Sequence, residues 1–233
     1  MTGVGEGKHA PCDCCVAYVS GQEGTVRVEF PFGDDKVCQG VISATDMQLE
    51  LGACTSLAMV TENSNIILAT GFESGHVVLW SQCNWGQPYS HSKLHDSPVL
   101  GIDLWLELAN PTVGTEQSAT DCQTGVYQGV CGSAEDSFIL IFRCSNSQIE
   151  IIHKIKIASP GIEDVLFRWD GKIVAAACWD GSVRFFMRHS GKAAMALRYH
   201  SGAATFIAFS NTKHPCIVAT GSRDKTVAVW EIP

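Results

Sequence analysis

The chain has 233 residues, a formal net charge of −8 and 45% hydrophobic residues, a composition typical of one folded domain or part of one. It contains no run of about 18 apolar residues, the length a helix needs to cross a membrane, and this excludes a helical membrane protein. The segment Met1–Ala10 has no apolar stretch, so we expect no secretory signal peptide.

One pattern recurs along the chain. Each copy has a tight turn followed by a short alternating strand that ends on a large aromatic residue. Successive turns are 51, 62, 44 and 44 residues apart, with the turn residues at Glu23, Ser74, Asp136, Asp180 and Asp224. A propeller blade of four strands takes about 40–45 residues, so the spacing predicts an all-β propeller with loop insertions in the two longer intervals.

The turns divide the chain into five predicted blade units. Their approximate limits are 12–45, 53–92, 97–157, 160–200 and 201–233. The first unit has no first strand, because Met1–Pro11 is polar and rich in glycine. The last unit ends at its third strand. We therefore expect five recognisable blades, of which the first and the last are incomplete.

The 62-residue interval predicts an insertion in the third unit. The run Asn110–Ser118 lacks the alternation of a strand, so we expect 106–124 to form a surface insertion between two strands.

Eleven cysteines are present, and many lie inside predicted strands, as Cys131, Cys178 and Cys216 do. We expect such residues to act as small buried apolar side chains in a reducing compartment. Residues Cys12, Cys14 and Cys15 lie near His9, but no second cysteine pair has the spacing of a zinc site. The sequence therefore predicts no bound metal and no cofactor.

Charge is unevenly distributed. Residues 1–150 hold 5 Lys/Arg and 18 Asp/Glu, whereas residues 151–233 hold 11 and 6, a net of +5. The basic third predicts a cationic partner surface, or else scattered solvated charges. Nucleic acid is a weaker alternative, since the whole chain is acidic and no aromatic residues interleave a basic run. The candidate surface residues are Arg184, Arg188, Arg198, Arg223 and Lys225.

The last two copies resemble WD40 repeats. In that family a His, a Ser or Thr, the turn Asp and the strand-ending Trp form a hydrogen-bonded chain. By resemblance, the last copy would supply it from His200, Ser222, Asp224 and Trp230. A buried indole N–H and a buried carboxylate both need partners, so this set is expected to be structural and not a Ser/His/Asp catalytic triad.

A narrower likeness covers about 158–232. The segments Pro160–Val165, Trp179–Arg184, Leu197–Ser201 and Ala219–Asp224 resemble the family of ASTRA-associated protein 1. That resemblance implies a seven-bladed scaffold of the nucleus and cytoplasm, from which this chain would lack N-terminal blades. It also implies a place in an ASTRA-like complex, linked to chromatin remodelling and to the maturation of PI3-kinase-like kinases. The implied partners are complex subunits, AAA+ ATPases and kinase co-chaperones.

The function predicted is therefore a non-catalytic scaffold for protein–protein assembly. The chain has no Gly-rich phosphate loop, no H-E-x-x-H and no G-x-S-x-G, so we expect it not to be an enzyme. Two alternatives stay open. One is a generic WD40 adaptor of the G-protein β type, and the weaker one is a propeller hydrolase.

Overall fold

Short runs rich in β-branched and aromatic residues, separated by glycine-containing turns, form strands throughout the chain. The computed structural model describes residues 16–19, 25–32, 36–43, 49–62, 65–107, 126–210 and 215–232, with the strands before residue 49 described as backbone. These residues contain strands and no helix, which confirms the all-β prediction. The strands are β1 (Val16–Val19), β2 (Thr25–Phe32), β3 (Lys36–Ser43), β4 (Cys54–Glu62), β5 (Asn65–Phe72), β6 (His76–Ser81), β7 (Ser90–Lys93), β8 (Val99–Glu107), β9 (Val126–Ser133), β10 (Phe138–Ser145), β11 (Gln148–Lys156), β12 (Ile162–Phe167), β13 (Ile173–Cys178), β14 (Ser182–Met187), β15 (Ala193–Arg198), β16 (Ala204–Phe209), β17 (Cys216–Ser222) and β18 (Val227–Ile232).

Consecutive strands pair antiparallel into five sheets, which we call blades 1 to 5. Blade 1 is β1–β3, blade 2 is β4–β7, blade 3 is β8–β11, blade 4 is β12–β15 and blade 5 is β16–β18. Blades 1 and 5 have three strands and the others have four. The prediction of five blades with incomplete first and last members is confirmed.

The first strands of successive blades lie side by side. Strand β4 contacts β8, β8 contacts β12 and β12 contacts β16, which is the arrangement of a propeller around its axis. These strands belong to different sheets, so no backbone ladder joins them. Side chains join them instead, beginning with the Thr55 hydroxyl, which donates to the Val99 carbonyl at 2.6 Å.

Two carboxylates continue this series of bonds. Asp103 on β8 accepts a hydrogen bond from the Phe167 N–H of β12 at 2.7 Å. Asp164 on β12 accepts from the Ile207 N–H of β16 at 2.8 Å. Burial raises the pKa of Asp103 to about 6 and also raises the pKa of Asp164. The blades are thus connected near the axis by acidic groups that are costly to ionise.

The apolar core lies between the faces of neighbouring blades and not in one central mass. One cluster joins blades 2 and 3, and includes Leu79, Ile102 and Phe142. A second joins blades 3 and 4, and a third joins blades 4 and 5. Burial of these faces is the main source of stability, so each blade depends on its neighbours.

Strand β18 is less covered than its counterparts. The third strands β6, β10 and β14 are mostly buried, each between a second and a fourth strand. On β18, by contrast, Val227 and Val229 are 65% and 68% exposed. Phe206, at 42%, lies on the same face, because the register pairs it with Gly221 and Gly221 with Val227. Within the described residues, no strand pairs with the other edge of β18.

Several expectations fall partly outside the described residues. Strand β8 ends at Glu107 and β9 begins at Val126, so the predicted insertion connects two strands of blade 3. Residues 108–125 and the cluster Cys12, Cys14 and Cys15 lie outside the described part of the chain.

The cysteines follow the expected pattern with one departure. Free thiols are present at Cys54, Cys131, Cys144, Cys178 and Cys216. Cys83, however, is disulfide-bonded. Across the described ranges, no group of His, Cys, Asp or Glu has a metal-binding arrangement, and no helix has the length and hydropathy of a membrane span.

The raised pKa of Asp103 predicts a pH dependence. A carboxyl whose folded pKa is about 6, against an ordinary 3.8, stabilises fully below about pH 4 and loses that contribution as pH rises through 6. The variant Asp103→Asn has no titrating group at this position, so it lacks this loss. On going from pH 4 to pH 7, the free energy of unfolding of the variant minus that of wild type should therefore rise by on the order of 2 kcal/mol.

Urea unfolding of both proteins at pH 4 and pH 7 measures this difference. Comparing the two proteins at both pH values cancels the contribution of the titrating groups that they share. It also cancels the pH-independent effect of replacing the carboxyl with an amide. A difference that does not change with pH would contradict the assignment.

The exposed face of β18 predicts self-association. Replacing both Val227 and Val229 with Thr keeps the shape and strand propensity but removes the apolar surface. We expect less concentration-dependent association by light scattering, with little change in Tm. Ile151→Thr on β11, where the residue is 45% exposed, is the matched control and should leave association unchanged. Equal association of both variants would show that β18 is not the contact.

Candidate functional site

A chain of polar side chains runs through blade 5. The Trp230 Nε1–H donates to the Thr220 Oγ1 at 3.2 Å, and that hydroxyl lies 2.9 Å from the His200 Nε2. The His200 Nδ1 lies 2.8 Å from the Thr226 Oγ1, which donates to the Asp224 carboxylate at 2.6 Å. Four hydrogen bonds thus join β17, β18, their turn and the loop after β15.

The direction of each proton follows from counting donors. Because the Thr226 hydroxyl donates to Asp224, its oxygen must accept from the His200 Nδ1–H. In the tautomer that carries its proton on Nδ1, the His200 Nε2 accepts from the Thr220 hydroxyl, which itself accepts from Trp230. Every donor in this series of hydrogen bonds points toward the carboxylate, and the two members at its centre, Thr220 and His200, are buried.

The structure places Thr220, and not Ser222, between the tryptophan and the histidine. Ser222 donates instead to the Gly202 carbonyl at 3.0 Å and accepts from the Asp224 N–H at 3.2 Å. Side chains two residues apart project from the same face of a strand, which explains why sequence reasoning selected the wrong hydroxyl.

A usable signal was the spacing from the tryptophan. Thr220 precedes Trp230 by ten residues, and Thr70 precedes Trp80 by ten in blade 2. There the Trp80 Nε1–H donates to the Thr70 Oγ1 at 2.9 Å. Alignment on the tryptophan would have found both hydroxyls.

Asp224 fixes the loop that carries His200. Its carboxylate accepts from the Ser201 N–H at 2.8 Å and from the Thr226 N–H at 2.9 Å. The bonds from Thr226, and then the bond from the Ser201 N–H, hold the pKa of Asp224 well below its usual range. The carboxylate therefore stays ionised as a structural acceptor.

Blade 3 brings together a cysteine, a histidine and an aspartate. The His95 Nδ1 lies 2.7 Å from Asp136, and its Nε2 lies 3.4 Å from the Cys131 Sγ. This is the geometry of an activated cysteine nucleophile. Cys131 is fully buried, however, and burial raises the pKa of its thiol, whereas a nucleophile needs a lowered one. Burial also lowers the pKa of His95, so the set has the character of a buried structural network.

Blade 4 has no histidine at the equivalent place. The Ser182 hydroxyl donates to the Asp180 carboxylate at 2.5 Å, and Arg184 forms an ion pair with the same carboxylate. Arg184, one of the predicted surface cations, is therefore neutralised within its own blade.

Arg188 does not belong to the predicted surface. The residue is only 8% exposed, and its guanidinium donates to the Gln128 Oε1 at 3.0 Å. It also lies 5.9 Å from the centre of the Trp105 ring. Arg188 connects blades 3 and 4, and burial lowers its pKa. Sequence position near a turn gave no sign of this partner.

The remaining three predicted cations, Arg198, Arg223 and Lys225, are exposed. Arg198 ends β15, while Arg223 and Lys225 form the turn between β17 and β18. Arg223 ion-pairs with Glu163 at 3.4 Å across the boundary between blades 4 and 5.

The sequence of this region also matches a known protein family. The family model for "WD domain, G-beta repeat" matches residues 150–186 and 191–231. These two stretches are WD40 repeats. They cover the outer strand of blade 3, most of blade 4 and nearly all of blade 5, the part that carries the polar chain.

Curated relatives extend the likeness over more of the chain. Guanine nucleotide-binding protein subunit beta-like protein 1 of Mus musculus is 26% identical over 179 residues, covering 77% of this chain and 48% of that protein. ASTRA-associated protein 1 of Schizosaccharomyces pombe is 27% identical over 190 residues, covering 74% and 46%. The chain therefore spans about half the length of these relatives.

A local match has a higher identity over a shorter segment. The U3 small nucleolar RNA-associated protein 15 homolog of Xenopus tropicalis is 43% identical over 68 residues, which are 29% of this chain and 13% of that protein. Among solved structures, the computationally designed Ika8 protein has a TM-score of 0.59 at 18% identity, covering 96% of this chain and 70% of its own. The designed Ika4 protein has a TM-score of 0.56 at 21% identity, covering 78% and 92%. Both likenesses support the propeller fold alone.

The two hydroxyls of β17 give a discriminating test. Thr220 is fully buried, and Thr220→Val would leave the Trp230 N–H without its acceptor and His200 without its donor. We expect a loss of about 1–3 kcal/mol in the free energy of unfolding. Ser222→Ala, the matched control, should cost less, because its partners are partly open to solvent. A larger loss from Ser222→Ala in urea unfolding would contradict this chain of bonds.

Proposed function

We propose that the protein is a non-catalytic WD40 scaffold for protein–protein assembly and a component of an ASTRA-like complex. Such a complex would be linked to chromatin remodelling and to PI3-kinase-like kinase maturation, in the nucleus and the cytoplasm. The observation that carries the proposal is the likeness of this repeat array to relatives named ASTRA-associated protein 1 over about three quarters of the chain.

The internal chemistry supports a scaffold over an enzyme. The clusters that could be taken for catalytic triads are the polar chain of blade 5 and the Cys131–His95–Asp136 set of blade 3. In both sets each side chain is hydrogen-bonded to another member of the set, and Cys131 is fully buried. A hydrolase needs a nucleophile that a substrate can reach. These side chains hold the turns between strands in place. Partner proteins commonly bind such loops and turns, which a rigid scaffold positions.

The alternative is a generic adaptor of the G-protein β type. It is favoured by the name of the mouse relative, guanine nucleotide-binding protein subunit beta-like protein 1. It differs from the leading proposal only in its partners, so partner identity decides between them.

Co-purification with mass spectrometry tests the proposal. Tagged chain, expressed in eukaryotic cells and recovered from nuclear and cytoplasmic fractions, should retain AAA+ ATPases and kinase co-chaperones. The designed Ika8 protein shares the fold and serves as the matched bait. Enrichment of G-protein subunits in place of ATPases would favour the adaptor. A clean monomer with hydrolase activity would overturn the scaffold assignment.

A further inference from the structure

Three segments at one end of blades 4 and 5 form a continuous surface. A Cβ atom at Gly181, where φ is +80°, would lie 2.5 Å from the His200 carbonyl oxygen, so the turn after β13 touches the loop after β15. A Cβ at Gly202 would lie 3.0 Å from the Asp224 nitrogen, so that loop touches the turn after β17. We call this region the turn surface; its exposed members are Trp179, Arg198, Tyr199, Arg223 and Lys225.

Trp179 is exposed and yet rigidly held. It is 39% exposed, and its Nε1–H donates to Glu163 at 2.6 Å. The Arg223 guanidinium lies 5.9 Å from the ring centre, and the ring crosses Gly161, whose φ of +90° and lack of a Cβ allow the close approach. A tryptophan fixed before binding loses little conformational entropy on contact, which is the property of interface anchors.

Tyr199 is a second exposed aromatic residue. It is 62% exposed, with its ring centre 5.4 Å from that of His200 and 6.0 Å from that of Trp230, both in edge-on geometry. The polar chain of blade 5 therefore positions this ring as well. Tyrosine and tryptophan combine large apolar area with a polar group, and both are enriched at protein interfaces.

The free charge of the turn surface is positive. Its three carboxylates are already engaged: Asp180 with Arg184, Asp224 with Thr226 and Ser201, and Glu163 with Trp179 and Arg223. Arg198 and Lys225 are exposed, and within the described residues neither forms an ion pair. Arg223 keeps 63% of its side chain exposed despite its pairing.

We propose that the turn surface binds an acidic protein segment that places one apolar or aromatic side chain against Trp179. This inference rests on the proposed scaffold function and names the surface and the chemistry of its partner. Nucleic acid fits less well, because the whole chain carries a net charge of −8 and no aromatic residues interleave a basic run. A protein carboxylate can instead be placed beside Arg198 and Lys225.

A short synthetic peptide tests the surface directly. The probe is a fluorescent Glu-rich peptide with one central Phe, titrated by anisotropy at low and moderate salt. The double variant Arg223→Glu/Lys225→Glu should weaken its binding by about tenfold and remove most of the salt dependence. Trp179→Ala should weaken binding at either salt concentration, whereas Trp179→Phe should retain most of it.

The matched control for charge is Lys156→Glu/Lys192→Glu. Both lysines are exposed, they lie outside the turn surface, and the change in net charge is identical. If both double variants lose peptide affinity equally, the effect is due to net charge alone and the proposal is overturned. Tighter binding of a single-stranded oligo-dT than of the peptide would overturn it in favour of nucleic acid. Melting curves of each variant identify any loss due to misfolding, and Trp179→Phe then provides the fold-neutral test.

Failure of this inference is distinguishable from failure of the proposed function. If wild-type chain recovers its partners from cells and Arg223→Glu/Lys225→Glu recovers them equally, the scaffold proposal stands and the turn surface is wrong. If wild-type chain recovers no protein partner while the peptide still binds the turn surface, the assignment to an ASTRA-like complex fails by itself.

Discussion

The structure depends on contacts between sheets that share no backbone ladder. The strands of each blade pair with one another, but the first strand and the two faces of a blade also need the neighbouring blades. Apolar faces provide most of the free energy, and the Asp103 and Asp164 carboxylates set the alignment by accepting N–H groups from the following blade. A buried carboxylate is expensive to ionise, and these two are tolerated because each accepts backbone hydrogen bonds.

The exposed face of blade 5 follows from the same constraint. In blades 2, 3 and 4, the strand equivalent to β18 pairs with a fourth strand and is mostly buried, whereas Val227 and Val229 meet solvent. Two surfaces of blade 5 therefore differ. At its turn end, polar groups are hydrogen-bonded to Asp224 and His200, while its outer face is apolar and open to association.

The sequence was sufficient for the repeat and for the count of blades, because turn residues and alternation recur at a near-constant interval. It was insufficient for choosing between two similar residues when only one of them forms a hydrogen bond to a side chain on another strand. Ser222 and Thr220 project from one face of β17, and only the position of Trp230 across the sheet selects the threonine. Arg188 was misplaced for a related reason. Its partners Gln128 and Trp105 come from another blade, and no local pattern reveals them.

The polar networks also explain how one fold can serve as a rigid platform. In blade 5 the hydrogen bonds from Trp230 to Asp224 end at the turn that carries Arg223 and Lys225, and Tyr199 packs on the same histidine and tryptophan. In blade 4, Asp180 and Arg184 brace the turn that carries Trp179. Side chains that resemble catalytic groups, such as His200 and Asp224, therefore hold the exposed side chains next to them in position. A surface held in this way can recognise a partner with little reorganisation, which is the physical advantage of a propeller as a scaffold.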